Sequence, residues 1–165
     1  MENQLENFDK FNYYVGQIFG LLVIAFPRRV DLNMIEMIGA EHCPETYLAG
    51  RWTGKYLRNG EVENVTEELD FLYDTIRWLY DTGYLIGYVG TSQIGRKVVV
   101  TLSPQTLEIL KKMPESVSAP GQTLGQEIAK AAKSAAKAKL AELGGKALSY
   151  AVKAGWEAVT GAPGN

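Results

Sequence analysis

The chain has 165 residues, with 17 Lys and Arg against 19 Asp and Glu, one His, one Cys and 46% apolar residues. That suffices for one folded domain with an appendage, and it excludes a wholly disordered chain, a disulfide scaffold and an ordinary zinc site. A net charge of -2 also argues against a generally basic coat for nucleic acid. The even balance conceals a split: residues 1–115 carry eleven Lys and Arg against sixteen Asp and Glu, while residues 116–165 carry six Lys, three Glu and no Arg. An acidic, aromatic-rich body is therefore expected over residues 1–113, a linker over 114–122, and an Ala- and Lys-rich helical tail over 123–160.

Phe8, Phe11, Val15, Ile18, Leu22 and Phe26 alternate at spacings of three and four, which predicts a first helix that Pro27 stops. The apolar run from Ile18 to Phe26 is nine residues, half of what a membrane span needs. Its upstream flank holds Glu2, Glu6 and Asp9, the wrong sign for a signal peptide, so a cytoplasmic location is expected. After an extended Val30–Leu32, Asn33 and Glu36 are spaced as a capping box for a short second helix ending near Gly39. Residues 41–63 show no clean period and read as an insertion. Asn64 and Glu67 repeat the box, and Leu69, Leu72, Ile76 and Leu79 keep helical spacing as far as Gly83, a C-terminal cap. Tyr84–Val89 and Arg96–Leu102 then predict a β-hairpin, and Ser103-Pro104 starts a short helix carrying Leu107, Leu110 and Met113.

Helix, helix, helix, hairpin, helix, with Thr75–Leu85 as the turn into the first wing strand and Val100–Leu110 as the strand-to-helix exit, resembles the winged helix-turn-helix superfamily over residues 8–113. The exit is similar to that of many bacterial winged-helix proteins. The resemblance implies an α+β, mainly α, winged-helix-like domain of three helices, a β-hairpin wing and a short helix. Two features depart from it. The 41–63 insertion separates the second and third helices, where a compact turn takes three or four residues. Gln105 and Thr106 stand where such exits often carry glycine.

DNA binding does not follow from the fold alone. The face of the third helix opposite its apolar stripe holds Asp70, Tyr73, Asp74, Arg77 and Asp81, and three Asp against one Arg would be repelled by phosphates. The expected function is therefore non-enzymatic docking of a macromolecule, foremost a protein, through Tyr73, Asp74, Arg77 and Asp81, with Arg51, Trp52 and Arg58 of the insertion. The alternative is a DNA-binding regulator that dimerises through the tail and uses Arg77, Arg96 and Lys97.

No catalytic, cofactor or metal site is expected. His42 and Cys43 are adjacent, and neighbouring side chains on an extended chain point to opposite sides. The glycines at 83, 87, 90 and 95 lack the Gly-Lys-Ser/Thr order of a phosphate loop, and the acidic clusters have no His beside them.

In the tail, Leu124, Ile128, Ala131 and Ala135 share one face opposite Lys130, Lys133 and Lys137. Gly144-Gly145 is expected to bend the helix before a second piece bearing Leu148, Val152 and Trp156. Small side chains let another helix approach closely, so the tail is expected to self-associate or hold a partner. Adsorption to a membrane surface is a third reading, weakened by the scarcity of large apolar residues there.

Overall fold

A computed structural model describes the backbone of residues 2–93, 95–113 and 121–160, and the side chains of 6–93, 95–113 and 121–154. The described chain is mixed α+β, mainly helical, with small antiparallel sheets. Helix α1 (Glu2–Ala25) ends ahead of the cis Phe26-Pro27 peptide. Val15, Ile18 and Leu22 are fully buried, as the apolar stripe predicts, whereas Phe8 and Phe26 overrun the core at either end and stay exposed. The other side of α1 is buried as well, through Tyr14, Gly16, Phe19 and Gly20. This helix is covered from two directions.

On one side lies α3 (Thr66–Asp81), which β1 (Val30–Asp31) and α2 (Met34–Met37) precede in the chain. Asn33 caps α2, its Oδ1 accepting the Glu36 N–H at 3.1 Å. The capping box expected at α3 does not form. Val65 occupies the cap position, and Asn64 Oδ1 instead accepts from the Thr66 N–H at 3.0 Å and its hydroxyl at 2.6 Å. Leu69, Leu72, Ile76 and Leu79 are buried, and Gly83 takes the left-handed conformation (φ 87°) that ends the helix without a Cβ penalty. The wing strands run longer than their composition suggests. β7 (Leu85–Ser92) and β8 (Gly95–Leu102) pair out to Ser92 opposite Gly95, and β1 pairs along the other edge of β8 through Val30 opposite Val100. The sheet order is thus β1-β8-β7, and α4 (Pro104–Leu110) follows, capped by Ser103.

The insertion is ordered. It forms β2 (Ala40–Glu41), a 3-10 turn (Pro44–Thr46), a small hairpin of β3 (Tyr47–Leu48) and β4 (Arg51–Trp52), and β5 (Lys55–Arg58) paired with both β2 and β6 (Glu61–Asn64). Two-residue turns close both hairpins, Ala49-Gly50 (φ 51° and 76°) and Asn59-Gly60 (φ 54° and 79°). Positive φ at both central residues is what a type I′ hairpin turn demands.

The tail corrects two expectations. Helices α5 (Leu124–Lys133) and α6 (Lys137–Thr160) lie across α1, and Leu124, Ile128, Ala131, Leu140, Leu143 and Ala147 join the same core as Ile18 and Leu72. It is not a separate appendage. Each fully buried Leu or Ile contributes about 1.5–3 kcal/mol to keeping it there. Most of the linker, residues 114–120, lies outside the described residues, but its flanks meet: the Leu124 N–H donates to the Lys112 carbonyl at 2.8 Å. The helix breaks at Ser134–Ala136, where Ala135 has φ 53°, and it runs unbroken through Gly144-Gly145. Gly144 serves contact, because a Cβ there would stand 2.2 Å from the Asn12 carbonyl oxygen. A Cβ on Gly16 would stand 2.1 Å from the carbonyl oxygen of Leu140. The two backbones touch where neither residue has a side chain.

Candidate functional site

Helix α3 and the wing bring most of the anticipated contact residues together, and they meet each other first. Arg96 reaches from β8 to Asp70, Nη2 to Oδ1 at 2.8 Å, and its guanidinium lies 4.3 Å from the centroid of the Tyr73 ring. Arg77 pairs with Asp81 at 3.2 Å and donates through Nη1 to the Val89 carbonyl at 2.9 Å. Lys97 holds Asp31 of β1 at 2.6 Å. Asp74 is exposed among them. The result is a surface on which each of the three cations already faces a carboxylate.

Arg51, Trp52 and Arg58 sit in the insertion, whose β3–β4 hairpin packs on the 3-10 turn and reaches β5 through Trp52. Arg58 is tied to Glu63 across β5–β6. Trp52 donates its indole N–H to the Tyr56 hydroxyl at 2.8 Å, and the Tyr47 ring stacks on His42 at 6.3 Å and 7°. The imidazole also meets Tyr56, while the Cys43 sulfur lies 3.5 Å from the Thr46 hydroxyl. His42 and Cys43 thus face different neighbours. Among the described residues, no group of three His, Cys, Asp or Glu side chains is placed to hold a metal.

One polar cluster was not anticipated. A cleft of about 780 Å³ opens between α1 and the start of α6, lined by Lys10, Tyr13, Tyr14, Glu68 and Lys137 among others. Glu68 accepts from the Tyr14 hydroxyl on Oε1 and pairs with Lys10 at 3.0 Å on Oε2. Burial opposes its ionisation, but the Tyr14 hydroxyl and the Lys10 ammonium outweigh that and hold its carboxyl below the usual range. Burial first, and then the Glu68 charge, push the Tyr14 hydroxyl far above its ordinary value. Both carboxylate oxygens are engaged, so the cluster ties α1 to α3. The sequence held one faint trace: Lys10 and Tyr14 are four apart on one helix face. Glu68 opposite them is a long-range fact that no local spacing records.

The tail residues divide. Leu124, Ile128 and Ala131 are buried against α1, Ala135 sits exposed in the α5–α6 turn, Leu148 is half-buried and Val152 is exposed. The Trp156 side chain lies outside the described residues. Among the described residues no helix is long and apolar enough to cross a membrane. Comparison with protein families, with curated proteins and with solved structures yields no match for this chain.

Proposed function

We propose that residues 8–113 form a winged-helix-like docking module, with α3 as the presenting helix, the β7–β8 hairpin as its wing, and a protein as its partner. The β1-β8-β7 order of the sheet beside α3 supports the winged-helix assignment. The observation that carries the protein reading is the internal pairing of Arg77, Arg96 and Lys97 with Asp81, Asp70 and Asp31. Such exposed pairs are individually weak, about 0–1 kcal/mol each, so breaking them is not the obstacle. The obstacle is what remains: Asp81, Asp70 and Asp31 uncompensated beside phosphates, with exposed Asp74 as a fourth carboxylate. A protein surface with its own donors and cations meets no such conflict, and Tyr73 and Arg77 are side chains of the kind that anchor protein interfaces.

The tail's part in association is narrower than its composition suggests. Its apolar stripe is inside, so self-association would use the outer side of α6 around half-buried Leu148 and exposed Val152. Adsorption to a membrane through the tail loses the face it would need. The reading is non-enzymatic.

Titrating the full chain with duplex DNA between roughly 50 and 200 mM salt tests the proposal, since released counterions report phosphate contacts. No salt-dependent binding is expected. A steep loss of affinity with salt, abolished by Arg96→Ala with Lys97→Ala, would overturn it and restore the DNA-binding regulator.

A further inference from the structure

We propose that the β3–β4 hairpin docks the chain peripherally on an anionic lipid surface, seating Tyr47, Leu48 and Trp52 among the headgroups while Arg51 and Lys55 meet the phosphates. All six residues from Tyr47 to Trp52 are exposed, with Tyr47 and Leu48 at 54% and Trp52 at 46%. Between Thr46 and Gly60 there are three cations and no carboxylate, within a body that is otherwise acidic. Arg58 is consumed by Glu63, but among the described residues no carboxylate pairs with Arg51 or Lys55. This is the reverse of the α3–wing face, where each cation carries its own counterion.

The tip is also preset. Tyr47 and Trp52 are a cross-strand pair on one face, held by the His42 stack and the Tyr56 hydrogen bond. Leu48 with Arg51 is the pair on the other, so the hairpin enters tip first with both faces wetted by headgroups. Fixed rings lose little rotamer freedom on binding. Ala49-Gly50 closes a tight turn with only small residues at the apex. Trp and Tyr favour the boundary between hydrocarbon and water, and cations beside it are drawn to anionic headgroups. Single-stranded nucleic acid would use the rings and the cations, but it gives exposed Leu48 no role.

Flotation of the full chain with phosphatidylcholine vesicles, with and without about 30% phosphatidylserine, tests this. The chain is expected to float with the anionic vesicles alone. Partitioning should fall roughly tenfold in Leu48→Ser and again in Arg51→Glu, and stay unchanged in Lys130→Ala with Lys133→Ala. All these positions are exposed, and an unaltered circular dichroism melt confirms that the variants fold. Failure to float with either vesicle, or flotation of either hairpin variant as complete as that of the unaltered chain, would overturn the proposal. So would loss on changing the α5 lysines, or hairpin-dependent capture of a polypeptide by a chain that ignores vesicles.

Discussion

Gly144 and Ala135 should respond to substitution in opposite directions. Ala is the better helix former by about 1 kcal/mol, so on propensity alone Gly144→Ala should stabilise α6. The Asn12 carbonyl 2.2 Å from the added Cβ reverses that sign, and a loss of about 3 kcal/mol in urea unfolding is expected. Ala135, at φ 53° in the α5–α6 turn, is strained, and Ala135→Gly should gain several tenths to about 1 kcal/mol. Glu68 makes a pH prediction. Its carboxyl lies lower in the folded chain than in the unfolded one, so its contribution is present above about pH 4.5 and is lost as pH falls through the folded value. Tyr14 has the opposite sense: its raised hydroxyl contributes below about pH 10 and is lost above it. Denaturant midpoints across pH should show an acid limb that flattens in Glu68→Gln and an alkaline limb that flattens in Tyr14→Phe.

The Asp70–Arg96 pair is one of the ties between α3 and the wing. Asp70→Asn should cost under about 1 kcal/mol, because the Asp70–Arg96 pair is partly exposed. Faster amide exchange is expected in β7 and β8, with α1 unaffected. The elements that could be read from the sequence were those with enough residues to show a period or a cap: α1, α2 behind Asn33, α3, the wing strands, and α4 behind Ser103. The strands of the insertion run only two to four residues, too short for alternation to register. One sign there was readable. Asn59-Gly60 between Arg58 and Glu61 is the commonest dipeptide of a two-residue hairpin, and it marks the β5–β6 turn.

At the scale of the molecule, the tail's helices were legible but their place was not. An Ala-rich stripe says that another helix comes close; it does not say which one. The answer lies in residues more than a hundred positions away, Gly16 and Gly20 on α1, where an added Cβ would strike Leu140 and Ala132. A chain cut after residue 120 therefore loses part of its core, and it is expected to lack a cooperative thermal transition by near-ultraviolet circular dichroism. The candidate contact residues on α3 were legible as an acidic face. Arg77 with Asp81 four residues on was readable along one helix, but that Arg96 and Lys97 also spend their charge there was not, because β1, α3 and β8 meet only in the fold. Whether this face meets protein or nucleic acid is decided most directly by photocrosslinking from position 73. A photoreactive phenylalanine analogue replaces Tyr73 there and keeps the ring beneath Arg96. A crosslinked adduct removed by protease and untouched by nuclease is the predicted result; an adduct removed by nuclease would contradict it.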